Sequence, residues 1–75
     1  MSRRRTYNFA GYRASDIREA IEQTVLNARN REIAARFYVD GECAYTIAED
    51  YGVTAKTVFE IARKAGSAIE RFLAG

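Results

Sequence analysis

The chain has no histidine, no proline and no tryptophan, and only one cysteine, Cys43. Each absence removes a class of explanation. A lone cysteine cannot close an internal disulfide, and without histidine there is no Cys/His metal site, so no metal or other cofactor is expected. The same single thiol fits a reducing compartment. Missing histidine also removes the commonest general base. No glycine-rich phosphate loop or paired-carboxylate pocket stands in its place, and catalysis is not expected. No apolar run is long enough to span a bilayer, and no secretory signal pattern is present; the expected location is the cytoplasm, with no membrane partner. Alternating Val/Ile/Thr-rich stretches are absent too. From residue 14 onward the chain reads in helical period, which predicts an all-α fold, a small bundle of about four helices.

Seventy-five residues make one domain. A chain this short buries only about 60% of its unfolded surface, so close helix packing or self-association must supply the stability that disulfides and metals do not. The net charge is +2, but it is unevenly spread. Arg3, Arg4, Arg5 and Arg13 precede any acid, residues 14–52 are net acidic, and residues 53–75 return to net positive. Such a layout lets one face approach phosphate while another is held off. Residues 1–14 therefore read as a basic arm and an aromatic segment (Tyr7, Phe9, Tyr12), and residues 15–75 as the folded domain.

Ser15 or Asp16 is expected to cap the first helix, with the Asp16-x-x-Glu19 spacing of a capping box. Its apolar stripe is Ile17, Ala20, Ile21, Thr24, Val25 and Ala28. Residues 27–30 read as a joint. A second helix is predicted over about residues 31–39, with Ile33, Ala34, Phe37 and Tyr38 inward, ending at Asp40-Gly41. A third, short helix covers about residues 44–51 and stops at Gly52. Thr54 then caps a fourth helix that begins at Ala55. Val58, Ile61, Ala62, Ala65, Ile69, Phe72 and Leu73 keep its phase to the end, with Gly66 the place of any bend. Tyr12, Tyr38 and Tyr51 read as core residues with a wet hydroxyl.

Residues 44–64 carry the functional signal. Ala48 is small where two helices would cross closely, and Gly52, four residues later, suits a turn with positive φ. Ile47, Tyr51, Val53, Val58 and Ile61 are apolar where the pair would face the rest of the bundle. Thr54 would cap the second helix of the pair and aim its N-terminus outward. This is the pattern of a helix-turn-helix, a DNA-binding unit whose second helix enters the major groove.

From Arg31-Glu32 through Leu73 the chain resembles region 4 of the sigma-70 family, and more loosely LuxR-type and sporulation-regulator helix-turn-helix domains. The matching residues are Arg31-Glu32, the run from Arg36 to Gly41, Ile47-Ala48-Glu49, Tyr51-Gly52-Val53, Thr57-Val58, Arg63 and Ala65. The resemblance implies a recognition helix in the major groove and a stand-alone transcriptional regulator of bacterial or phage type. It departs from the family at Thr46, where an acid is usual, and at Glu42, where an apolar residue is usual. It departs again on the reading face, which presents Ala55, Lys56, Phe59 and Glu60. No promoter-opening region fits in the remaining residues, so a working sigma factor is not implied.

The candidate recognition residues are thus Thr54, Ala55, Lys56, Thr57, Phe59, Glu60, Arg63 and Lys64, against the bland reading of an ordinary solvated face. Phe59 is expected either to meet a thymine methyl or to pack under Tyr7, Phe9 or Tyr12. Tyr45 and Thr46 are candidates for the DNA backbone, as are Arg3, Arg4 and Arg5, which can neutralise phosphate or enter a minor groove. Cys43 reads as a weak capping stand-in rather than a redox sensor. Double-stranded DNA is the expected partner; RNA polymerase and a second copy of the chain are further candidates. The rival reading is a protein-interaction module that binds RNA polymerase or inhibits a host factor through the acidic middle or the aromatic segment.

Overall fold

Local chemistry sets most of the helix ends. The computed structural model describes Phe9 and residues 11–75, which form four helices in the order α1 (Ala14–Thr24), α2 (Ala28–Tyr38), α3 (Ala44–Tyr51) and α4 (Ala55–Ala74). Among the described residues there is no strand, and no helix is long and apolar enough to cross a membrane. The all-helical bundle expected from the periodicity is the fold observed.

The α3–α4 pair has the predicted bounds because two caps fix it. Gly52 ends α3 at φ 67°, and the Val53 amide donates back to the Ala48 carbonyl at 3.0 Å, closing the helix end. Three residues later α4 begins: the Thr54 hydroxyl accepts from the Thr57 amide at 3.2 Å, a cap that contributes about 1 kcal/mol. α2 ends at Tyr38 with Val39 as its flanking residue, and Gly41 (φ 70°) turns the chain two residues beyond that. Gly66 is buried and lies within one continuous helix.

The first half of the chain departs from expectation. Neither Ser15 nor Asp16 caps α1; Arg13, in extended conformation, is the flanking residue, and its carbonyl accepts from the Asp16 and Ile17 amides. Asp16 instead lies in the first turn, where a carboxylate favours the positive helix end. Asn27, taken as part of a joint, is a cap: its side chain accepts from the Asn30 amide, so α2 starts at Ala28, three residues early. Ala28 is consequently exposed and outside the α1 stripe. Tyr12 and Phe72, both expected inward, are half exposed.

Two apolar clusters make the core. One joins Ile17, Ala20 and Ile21 of α1 with Ala34 of α2 and Ala65 and Ile69 of α4, and Phe9, Tyr38 and Leu73 pack against it. The other joins Ile33 of α2, Ala44, Ile47 and Ala48 of α3 and Val58 of α4, flanked by Phe37, Tyr51, Val53 and Ile61. α4 contributes to both. One buried stripe serves three partner helices.

Two stability predictions follow from the turn and the cap. An added Cβ at Gly52 has open space but would hold a left-handed backbone. Gly52→Val is therefore expected to cost ~1–2 kcal/mol, a fall in Tm of ~5–15 °C at this chain length, measured by circular dichroism; Gly52→Asn should cost less. At the start of α3, Cys43 occupies the cap position without a side-chain cap bond. Cys43→Ser is expected to raise stability by ~0.5–1 kcal/mol in urea titration.

Candidate nucleic-acid interface

α4 is amphipathic along its whole length. Val58, Ala62, Ala65 and Ile69 are buried, while Lys56, Glu60 and Arg63 are exposed on the side turned away from them. Thr54 is exposed, and Ala55 and Thr57 are half-buried at the first turn. At a rise of about 1.5 Å per residue, Lys56 and Arg63 stand ~10 Å apart along the helix, a span comparable with the ~12 Å width of a DNA major groove. The outward face is not purely basic, because Glu60 lies between the two cations in sequence and is exposed with them.

Phe59 sits at the edge of that face, 46% exposed. Neither Phe9 nor Tyr12 covers it. Its ring instead meets the edge of Phe37 on α2, centroids 6.1 Å apart. Phe9 packs on Tyr38, at 5.3 Å, and Tyr38 on Phe37, at 5.0 Å. A row of edge-to-face rings thus runs from the root of the N-terminal segment to the rim of α4, each pair adding ~0.5–1.5 kcal/mol beyond simple burial. Half of Phe59 is used in packing; the other half is open at the surface. Tyr7 and Arg3, Arg4 and Arg5 lie outside the described residues.

On α3, Tyr45 and Thr46 are exposed in the first turn, and Tyr45 is the more open, at 67%. α3 packs through Ala44, Ile47 and Ala48, and an ion-pair cluster that the sequence reading did not single out braces it against α2. Arg36 of α2 donates through Nε and Nη2 to the two carboxylate oxygens of Glu42, at 3.0 and 2.6 Å, and through Nη2 to Asp50 Oδ2 at 2.6 Å. One guanidinium thereby ties α2 to the α2–α3 connection and to the last turn of α3. The guanidinium carbon also lies 5.7 Å from the centre of the Tyr51 ring, within cation–π range. Tyr51 in turn donates its hydroxyl to Glu32 Oε1 at 2.6 Å. The Arg36 bonds hold the Glu42 carboxyl below the usual carboxylate range, and the bond to Glu32, together with burial, pushes the Tyr51 hydroxyl up. Arg36 and Glu42 stand six residues apart, a spacing with no local signature, and only the turn at Gly41 brings them together.

Lys64 differs from the other candidates. Together with Thr57, Glu60 and Ile61 it lines an open groove of about 410 Å³, whose other wall is the α1–α2 connection (Leu26, Asn27) and the first turn of α2 (Arg29, Asn30). The candidate residues of α4 therefore divide between an outward stripe (Lys56, Glu60, Arg63, with Phe59 at its edge) and a flank (Thr57, Lys64) that also shares Glu60. The wall opposite Lys64 was missed because residues 27–30 read as a joint; the signal available was Asn27 three residues before Asn30, the spacing of a cap.

No protein family, no curated protein and no solved structure matches this chain. Function has to be argued from these surfaces.

The carboxylate of the Arg36 cluster generates a pH prediction. Because Glu42 titrates lower in the folded chain than in the unfolded one, its contribution is complete above the unfolded carboxylate pKa of ~4.3 and is lost as pH falls through the folded value. Tm should therefore drop on acidification below about pH 4, and Glu42→Gln should lower Tm at pH 7 while flattening that acid limb. Equal acid limbs in both proteins would mean that the bond to Arg36 contributes nothing.

Proposed function

We propose that the chain binds duplex DNA as a helix-turn-helix protein, with α3 on the backbone and the first half of α4 in the major groove. The observation that carries this reading is the α3–α4 unit. A three-residue connection, closed at Gly52 and capped at Thr54, holds an eight-residue helix against a twenty-residue one. The unit also leaves Lys56, Glu60 and Arg63 free in solvent along one face. A helix packed on one side and polar on the other is common in small bundles. The cations within a groove-width of each other, the exposed Tyr45 and Thr46 on the preceding helix and the short glycine turn together match what major-groove readout needs. Lys56 and Arg63 are assigned to base edges or adjoining phosphates, Phe59 to apolar contact at the groove edge, and Tyr45, Thr46 and the arm residues Arg3, Arg4 and Arg5 to the backbone.

The regulatory reading extends this. Once bound, the chain blocks or recruits polymerase at a promoter by occupancy, in the manner of a stand-alone sigma region 4-like regulator of bacterial or phage type, working in the cytoplasm. Contact with RNA polymerase and pairing of two copies belong to the same proposal.

Affinity for duplex DNA is expected to fall about a hundredfold or more between 50 and 200 mM salt, as several phosphates exchange counterions for protein cations. A flat salt response would contradict the reading and favour a protein-interaction module. Against a site selected from random sequence, Lys56→Ala and Arg63→Ala should each reduce preference over random duplex by ~1–3 kcal/mol. Deleting residues 1–5 should weaken binding to both duplexes alike and shrink the salt slope.

A further inference from the structure

Resting on the DNA-binding reading, we propose that the groove between α4 and the α1–α2 connection with the first turn of α2 is a second backbone-binding strip, in which Arg29 and Lys64 hold the phosphates alongside the reading helix. The argument begins with the dimensions of the duplex. A helix with side chains is about 10–12 Å across and the major groove about 12 Å wide, so a helix lying in it has sugar-phosphate along its flanks. The α4 flank that carries Thr57, Ile61 and Lys64 faces the α1–α2 connection across the groove of about 410 Å³. If α4 lies in the major groove, that connection is brought against a backbone strand.

The chemistry of the groove fits such an occupant. Deoxyribose is an apolar ring joined to an anion, and the groove combines apolar lining from Val25, Ile61 and Ala65 with cations at Arg29 and Lys64. Leu26, in the same wall, is 87% exposed, the most open large apolar side chain among the described residues. Sugar contact gives it a role that folding does not. Arg29 lies beside Asn30, its Nε and Nη2 each 3.4 Å from Asn30 Oδ1. Among the described residues no carboxylate forms an ion pair with Arg29 or Lys64, so neither cation must break a salt bridge to meet phosphate. Glu60 lines the same groove, a carboxylate that repels phosphate on the side of the reading face.

The test uses the full chain with Arg29→Ala and Lys64→Ala, folding checked by circular dichroism, and competition binding on a selected and a random duplex from 50 to 200 mM salt. Arg29→Ala is expected to lower affinity for both duplexes about three- to tenfold and to flatten the salt slope by about one, leaving preference between them unchanged. Lys64→Ala should behave in the same way. If Arg29→Ala binds as the parent does while Lys56→Ala and Arg63→Ala still lose preference, the strip is overturned and the reading helix stands. If the parent chain shows no salt-dependent binding, the DNA reading falls and this inference falls with it. A change in site preference at Arg29→Ala would also overturn it, because that would make Arg29 a reader of bases rather than a holder of the backbone.

Discussion

The structure depends on the buried stripe of α4. α1, α2 and α3 each pack on α4, and α1 and α3 share no contact among the described residues. Val58 belongs to one apolar cluster, Ala65 and Ile69 to the other, so a single helix carries both. With no disulfide, this is the constraint that substitutes for covalent crosslinks. The α4 members of the two clusters, Val58 to Ile69, lie within about three turns of one another, so both clusters are served from the middle of the helix. A consequence reaches the surface. Because one side of α4 is committed to three partners, its opposite side is held at a fixed orientation, and whatever Lys56 and Arg63 touch is met by a rigid element.

The polar contacts refine that frame rather than build it. Arg36 joins α2, the α2–α3 connection and the end of α3 with three hydrogen bonds from one guanidinium. Such a fork fixes an angle better than a single bond does, and the angle here is that of α3, whose first turn exposes Tyr45 and Thr46. The aromatic row through Phe37 gives the rim of α4 a second attachment to α2. Phe59 is in consequence half committed to the fold, which makes it a poorer probe of DNA contact than Lys56 or Arg63, since its replacement disturbs packing as well.

Legibility in the sequence followed the range of the interactions. α3 and α4 were bounded correctly because Gly52 and Thr54 act within a few residues of themselves, and a positive-φ glycine or a hydroxyl cap leaves a local mark. α1 and α2 were displaced because a box-like spacing at Asp16 and Glu19 competed with an extended Arg13 whose carbonyl serves the same amides, and nothing in the local pattern ranks the two. Asn27 carried a legible cap that was read as a break. The exposure of Phe72 and Tyr12 was not readable, since periodicity gives the direction of a side chain but not what covers it. The groove at Lys64 and the Arg36 cluster join residues that only the turns bring together. The outward stripe, set by α4's own period, was legible at Lys56, Glu60 and Arg63, while Ala55 and Thr57, read with them, are half-buried.

The central claim is that the first half of α4 and the first turn of α3 form one DNA-facing surface. Amide chemical-shift mapping of the labelled chain, titrated with a short duplex in low salt, tests it residue by residue. The account predicts that the largest shifts fall at Tyr45, Thr46, Lys56, Phe59, Glu60 and Arg63, with the exposed face of α1 (Arg18, Glu22) unmoved. Shifts confined to α1 or to the end of α4, or none in low salt, would contradict it.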